Sequence, residues 1–136
     1  MGGAAPLKLL LDTHILLWSL LDPERLSRRA AEALEHPGNE LWISPVVVWE
    51  VLVLAEKRRI ALKPDPPTWI RRVLNTVPLT QAPLTCDVAI QSRLVDLPHG
   101  DPVDRFLAAT ALVYDLTLVT ADRRLLRSRA ISTLAG

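Results

Sequence analysis

Four acidic residues stand out because their surroundings in the sequence differ from those of ordinary surface carboxylates. Asp12 follows the apolar run LKLLL, and Asp122 follows the run LTLVTA. Glu50 lies inside the apolar stretch VVVWEVLVLA, and Asp104 ends the segment DPVD. If the fold brings these carboxylates together, their oxygens suit a hard divalent cation such as Mg²⁺ or Mn²⁺ better than they suit zinc.

Each aspartate also has a local structural interpretation. Asp12, Asp101 and Asp122 precede predicted helices, so each side chain could cap a helix N-terminus, a role worth about 1 kcal/mol. Asp104 would then be a first-turn carboxylate that the helix dipole favours. For each aspartate taken singly, the sequence leaves both the structural and the catalytic interpretation open.

Glu50 has no capping role to explain it. Apolar residues surround it on every face of the predicted helix, and neither Lys nor Arg lies three or four positions away. A carboxylate that is buried without a partner costs several kcal/mol. We therefore expect Glu50 to be buried and either neutralised, paired with a cation across the fold, or placed at a metal ion.

Apolar periodicity, with turn residues between the apolar segments, predicts alternating strands and helices. The predicted strands cover residues 7–11, 41–44, 77–79 and 116–120. The predicted helices cover residues 14–21, 27–36, 45–59, 68–75, 85–94 and 102–114, with a further helical turn or two from residue 122 and an unassigned segment at 131–134. This alternation predicts an α/β fold in which a parallel sheet carries helices on both faces.

The predicted topology gathers the acidic side chains at one edge of the sheet. Asp12 and Asp122 fall just past the carboxyl ends of two strands, where sites assemble in open α/β sheets. Three or four carboxylates gathered there repel one another strongly unless cations neutralise them. One or two Mg²⁺ or Mn²⁺ ions would lower the pKa of a bound water and polarise a phosphoryl oxygen, which predicts phosphodiester hydrolysis without a Ser, Cys or His nucleophile. We interpret His14 and His99 as structural or solvated residues outside the catalytic set.

The composition favours a single folded domain over residues 1–136. The chain is 49% hydrophobic and carries 16 Lys and Arg against 15 Asp and Glu, a net charge of +1. These values argue against a disordered chain and against a polybasic arm. Cys86 is the single cysteine, which excludes an internal disulfide and favours a reducing, cytoplasmic setting, and we expect no membrane segment because no apolar run is long enough. Setting the four acids aside leaves 11 acids against 16 bases, so the rest of the chain carries +5.

Four sequence blocks resemble, in order and in spacing, the motif series of PIN-domain ribonucleases. These blocks are LLLDTH, WISPVVVWE, HGDPVDRFLAATA and LTLVTAD. The chain most resembles the VapC-type toxins of bacterial toxin–antitoxin pairs, over nearly its whole length. The resemblance implies that Asp12, Glu50 and Asp104 are metal-site acids and that Asp122 is a more variable fourth acid. It also implies three supporting residues, which are Thr13, Thr120 and Asp101.

The same resemblance implies a single PIN-like domain that acts as a Mg²⁺- or Mn²⁺-dependent endoribonuclease on RNA. It further implies a homodimer and inhibition by a cognate VapB-type antitoxin, whose helix would lie in an apolar groove to which Trp42 and Trp49 contribute. Val103 departs from the family pattern, in which an aromatic or larger apolar residue is common. Among the arginine pairs, Arg123 and Arg124 lie nearest a proposed site acid and are the first candidates for contacts with RNA phosphates.

Two other functions remain open at this point. Phosphohydrolases of the haloacid dehalogenase type also begin with an acid after the first strand, but they require a second acid two residues later, where this chain has His14. A PIN-like module that only binds RNA or a protein would be favoured by loss of site acids. All four acids are present in this chain, which favours the ribonuclease.

Overall fold

The chain forms a sheet of short strands connected by helices in the computed structural model, which describes residues 6–136. The strands are β1 (Lys8–Leu11), β2 (Glu40–Ile43), β3 (Leu79–Gln81), β4 (Thr117–Thr120) and β5 (Ser132–Ala135). The helices are α1 (Thr13–Leu21), α2 (Arg28–Glu35), α3 (Pro45–Glu56), α4 (Pro66–Thr76), α5 (Cys86–Leu94), α6 (Pro102–Tyr114) and α7 (Arg123–Leu126), with a 3₁₀ turn at Pro23–Arg25. All neighbouring strands pair in parallel, in the order β3-β2-β1-β4-β5.

Helices cover both faces of this sheet. Leu9, Leu10 and Leu11 are consecutive in β1 and all three are buried. Because successive side chains of a strand point to opposite faces, both faces of β1 are covered. The chain builds β2 and β3 towards one edge and β4 and β5 towards the other, so right-handed crossovers place helices on opposite faces. The predicted α/β fold is confirmed.

The order of the strands reverses between β1 and β4, at the centre of the sheet. Leu11 pairs with Val119 across these two strands, and the backbone N–H of Asp12 donates to the carbonyl of Val119 at 3.1 Å. The segments that leave the two strands therefore run side by side beyond the carboxyl edge. This reversal is the position at which open α/β sheets form a crevice for ligands.

Several predicted boundaries shift by two or three residues. Helix α3 ends at Glu56 rather than at residue 59, because Arg58 takes a left-handed backbone conformation with a φ of 56°. Helix α4 begins at Pro66, because Asp65 caps it by accepting the N–H of Thr68 at 2.9 Å. Strand β3 begins at Leu79 rather than at residue 77, because residue 77 is still the C-cap of α4.

The core lies between the central strands and the helices that pack on them. Most of its fully buried side chains come from β1, α1, α3, α6 and β4, and they include Leu9, Leu10, Ile15, Leu16, Val47, Val51, Leu107 and Leu118. None of the helices formed by residues 6–136 is long and apolar enough to cross a membrane.

Candidate active site

A cavity of about 430 Å³ opens at the carboxyl edge of β1 and β4. All five acids singled out in the sequence line it, together with Thr13 and Arg124. The acids are Asp12, Glu50, Asp101, Asp104 and Asp122. The fold therefore brings together carboxylates from four separate stretches of the chain.

Asp12 both caps a helix and belongs to the cavity. One carboxylate oxygen, Oδ1, accepts the N–H of Ile15 at 2.9 Å, and the other, Oδ2, accepts the hydroxyl of Thr120. Burial raises the pKa of Asp12 above its ordinary value, the nearby charge of Glu50 adds to the rise, and the two hydrogen bonds oppose it. The hydrogen bonds fix the orientation of a carboxylate that burial makes costly to ionise.

The two threonines predicted as supporting residues play different parts. Thr120 is fully buried at the end of β4, and its hydroxyl oxygen also accepts the N–H of Asp122 at 3.1 Å, so it links Asp122 to Asp12. Thr13 is buried at the start of α1 and lines the cavity. Its hydroxyl finds no hydrogen-bond partner among the described residues. A buried hydroxyl without a partner costs free energy, which suggests that it serves a ligand in the cavity.

Asp104 is the acid whose ionisation is perturbed most clearly. Its side chain is 16% exposed, and its Oδ2 lies 3.1 Å from Nε2 of His99. Burial, together with the charges of Asp101 and Asp122, raises the pKa of Asp104 to about 6, and His99 partly opposes the rise. Val103 lines the cavity beside it. Because the imidazole is buried against a site acid, the expectation that His99 lies outside the site is revised.

Arg105 holds the segment that presents His99, and sequence reasoning did not single it out. Its buried guanidinium donates to the carbonyls of Ser92 at 2.8 Å, Val95 at 2.9 Å, Leu97 at 3.0 Å and His99 at 3.2 Å. Four carbonyl acceptors satisfy a charge that could not otherwise be buried. One feature of the sequence could have indicated a buried role for this arginine: it directly follows a site acid and begins the largely apolar stretch RFLAATA.

Asp101 caps a helix, as its structural interpretation predicted. It is exposed and caps α6, where its Oδ1 accepts the N–H of Asp104 at 3.2 Å. Its charge also contributes to the raised pKa of Asp104. Asp101 therefore positions the helix that carries Asp104 and adds negative charge to the cavity.

Arg124 lies between two of the acids. Its Nη2 atom is 3.1 Å from Oδ2 of Asp122 and 3.5 Å from Oδ2 of Asp104, and its backbone N–H donates to Asp122 at 2.8 Å. Burial alone would raise the pKa of Asp122, but the hydrogen bonds and charge of Arg124 outweigh it and lower that pKa. The acids in turn raise the pKa of Arg124. Arg123 and Arg124 are both exposed, but only Arg124 lines the cavity.

Glu50 is less buried than the sequence predicts. Helix α3 buries Val47 and Val51 on one side, whereas Trp49 is 57% exposed. The helix is apolar all round, but only part of its surface faces the core, and Glu50 is half-buried on the wall of the cavity. The expectation that Glu50 is buried was therefore wrong. Glu50 does line the same cavity as the other acids.

The side chains around the cavity match the chemistry of a hard cation. Carboxylate oxygens and the unpaired hydroxyl of Thr13 are the donors that Mg²⁺ and Mn²⁺ prefer. Within residues 6–136, no three Asp, Glu, His or Cys side chains already lie close enough together to hold one ion. The types of donor around the cavity nevertheless fit such an ion.

Comparisons with known proteins agree with this geometry. The PIN domain family model matches residues 9–130. The chain is 37% identical over 119 residues to Ribonuclease VapC22 of Mycobacterium tuberculosis (strain ATCC 25618 / H37Rv), covering 85% of this chain and 88% of that protein.

Solved structures share the fold at lower identity. VapBC2 from Rickettsia felis, bound to a DNA fragment from its promoter, matches with a TM-score of 0.71 at 16% identity, covering 96% of this chain and 99% of that one. DNA-bound VapBC from Salmonella typhimurium matches with a TM-score of 0.68 at 21% identity, covering 95% and 98%. The family model and the 37% identical relative together show that this chain belongs to the PIN domain family.

Proposed function

We propose that this protein is a Mg²⁺- or Mn²⁺-dependent endoribonuclease that acts in the cytoplasm as the toxin of a toxin–antitoxin pair. The observation that carries the proposal is the cavity at the carboxyl edge of β1 and β4, which gathers Asp12, Glu50, Asp104 and Asp122. The 37% identity to a protein named Ribonuclease VapC22 supports RNA as the substrate. Membership of the PIN family argues against the haloacid dehalogenase alternative, and the complete set of acids argues against a module that only binds.

Asp12, Glu50 and Asp104 would hold the divalent ion, with Asp122 at the edge of the same cavity. When bound, the ion would lower the pKa of a coordinated water and polarise a phosphoryl oxygen. Asp12 is oriented for this role by Thr120, and Asp104 is oriented by His99. These contacts fix the two carboxylates before the substrate arrives.

The remaining polar groups of the cavity would bind and orient the RNA backbone. The hydroxyl of Thr13 can donate to a phosphate oxygen, because it has no other acceptor among the described residues. Arg124 can exchange its carboxylate partners for a phosphate, which its guanidinium binds through two hydrogen bonds. Arg123, which is exposed beside it, would contact the strand outside the cavity.

The proposed partners would use apolar side chains that the described surface exposes. Trp49 on α3 is 57% exposed and would contact the helix of a VapB-type antitoxin. Trp42 is partly buried and packs on Tyr114, with ring centroids 5.9 Å apart. Because this packing covers part of its surface, Trp42 contributes less to that groove than Trp49 does. On α5, Ile90 and Leu94 lie one turn apart and are 59% and 68% exposed, which supports a homodimer through this helix.

The proposal is tested by the wild-type chain and its Asp12→Asn and Asp104→Asn variants with a labelled single-stranded RNA and Mn²⁺. We expect the wild type to cleave the RNA and to lose activity with a chelator. Each variant should lose more than the roughly 10- to 100-fold in rate that the loss of a group hydrogen-bonded to a metal ligand costs, because it loses a ligand itself. Expression in a bacterial host should arrest growth for the wild type alone.

The matched control is Asp87→Asn, which removes an exposed carboxylate of α5 outside the cavity and should cleave normally. Circular dichroism checks that every variant is folded. Cleavage at the wild-type rate by folded Asp104→Asn would refute the assignment of the site.

A further inference from the structure

A second cleft, of about 490 Å³, continues from the cavity that holds the acids. The two share four lining residues, which are His14, Trp18, Arg25 and Glu50. Because Glu50 stands on the wall of both, a strand placed with one phosphate at the acids would pass directly into the second cleft. Clefts of this size match a small ligand such as one nucleotide.

We propose that this second cleft is a nucleotide-binding subsite for single-stranded RNA, in which Arg25 and Trp18 stack the base next to the bond that is cut and Arg59 binds its phosphate. The inference rests on the proposed ribonuclease function, and it adds where the strand continues beyond the acids and which residues hold it.

The stacking surface is already assembled. The guanidinium carbon of Arg25 lies 4.7 Å from the centroid of the Trp18 ring, and the His14 ring lies 6.0 Å from Trp18 on the preceding turn of α1. Single-stranded RNA is recognised by stacking of its bases on aromatic side chains and on the planes of arginine guanidinium groups. A guanidinium that lies over an indole ring still has N–H donors available to a nucleotide.

The backbone holds Arg25 over Trp18. Asp22 ends α1 by donating its N–H to the carbonyl of Trp18 at 2.9 Å, and Arg25 donates its own N–H to the carbonyl of Asp22 at 3.0 Å. The 3₁₀ turn Pro23–Arg25 thus folds the chain back over the end of the helix. The position of Arg25 is therefore set by local hydrogen bonds rather than by a flexible loop.

A second arginine reaches the cleft from the end of α3. Arg58 takes its left-handed conformation there, and the N–H groups of Arg58 and Arg59 donate to the carbonyls of Ala55 and Leu54, each at 3.0 Å. This turn reverses the chain so that Arg59 lines the cleft.

The charge of the cleft suits an RNA backbone. Once Glu50 is assigned to the metal site, Arg25 and Arg59 stand against Asp22, which leaves one net positive charge on the lining. The cleft also has apolar lining residues, Leu21 and Leu54 among them, so a protein helix is the competing occupant. Continuity with the acids and the stacked arginine favour the nucleotide.

The test measures KM and kcat for cleavage of a fluorescein-labelled, 12-nucleotide single-stranded RNA by Arg25→Ala, Arg59→Ala and the double variant. We expect the double variant to raise KM by about 10-fold, in line with the loss of one stacked base, while kcat at saturation stays within about 2-fold. The slope of log affinity against log salt should fall by about 0.7 for each phosphate contact removed. Arg25→Lys keeps the charge but loses the planar group that stacks, so it should leave the salt slope at the wild-type value and still raise the KM.

Arg28→Ala is the matched control, because Arg28 is exposed on α2, outside the cleft, and pairs with Glu32 at 3.7 Å. Its KM should equal that of the wild type. A wild type that does not cleave RNA at all would overturn the proposed function and this inference with it. A wild type that cleaves, beside a folded double variant with unchanged KM, would overturn only the nucleotide subsite and would favour a protein helix on Leu21 and Leu54.

Discussion

Asp104 shows how one carboxylate can be set up for metal binding at the expense of stability. Its pKa is raised to about 6 by burial and by the charges of Asp101 and Asp122, whereas the carboxyl of an unfolded chain titrates near 3.8. Between these two values the folded state holds a proton that the unfolded state has released. The stability that Asp104 contributes is therefore lost as the pH rises through this window, and the ionised group is unfavourable at neutral pH.

Replacing Asp104 by Asn should remove this pH dependence. Relative to the wild type, Asp104→Asn should gain on the order of 2 kcal/mol in the free energy of unfolding between pH 4 and pH 7, because an amide has no charge to bury. Urea unfolding at both pH values, with a chelator present, measures the difference. Asp87→Asn is the control, and an equal gain there would show that the effect is general rather than specific to the site.

At the residue scale, the sequence predicted which acids meet but not what holds them. Asp12 and Asp122 follow strands, so their convergence follows from parallel topology alone. The contact of His99 with Asp104 depends on the path of the loop before α6, which no periodic pattern encodes. Likewise, the contact of Arg124 with Asp104 depends on how the short helix α7 orients its side chains. The sequence therefore predicts that Arg123 and Arg124 lie near the acids, but it does not predict which of the two contacts them.

At the scale of elements, α5 and α6 are joined by one buried arginine. Arg105, on α6, donates to Ser92 in the last turn of α5 and to Val95 at its C-cap, which satisfies carbonyls that a helix end leaves free. The same guanidinium holds the segment that carries His99. One side chain thus ties the packing of two helices to the position of a group that contacts Asp104.

Arg105→Lys should weaken the contact between α5 and α6, although it preserves the charge. A single ammonium cannot reproduce the fork that reaches four carbonyls, so the free energy of unfolding should fall by about 3 kcal/mol. Urea unfolding measures the loss, and hydrogen exchange of residues 95–99 should accelerate with it. Arg93→Lys is the control, because Arg93 is exposed on α5. Unchanged exchange in Arg105→Lys would mean that other contacts hold the segment.

Element boundaries were predicted well where apolar periodicity and caps agree, and less well where backbone conformation decides. The pattern of α3 runs on through Lys57 to Arg59, yet the left-handed conformation of Arg58 ends the helix earlier. A positive φ at a residue other than Gly or Asn has no clear signature in a sequence. This shortened end also brings Arg59 into the second cleft, where the proposed nucleotide subsite uses it.

For the whole molecule, the net charge of +1 combines an acidic cavity with a basic remainder. The remainder attracts the RNA backbone, and the cavity concentrates negative charge that only cations relieve. Arg124 supplies part of that relief by bridging Asp104 and Asp122. A divalent ion would relieve the rest, and any ion that binds only the folded state must stabilise it by mass action.

Mn²⁺ should therefore raise the melting temperature of the wild-type chain. At 100 times its dissociation constant, an ion bound only by the folded state adds about 2.7 kcal/mol, which corresponds to roughly 9 °C for a chain of this length. Thermal unfolding across a Mn²⁺ titration measures the shift, and a chelator should reverse it. Asp12→Asn should abolish the shift, because Asp12 is held in the cavity by Thr120 and Ile15 and cannot be replaced by a neighbour. Asp87→Asn should keep the shift, since its carboxylate lies outside the cavity; equal stabilisation of Asp12→Asn would mean that the ion binds elsewhere on the protein.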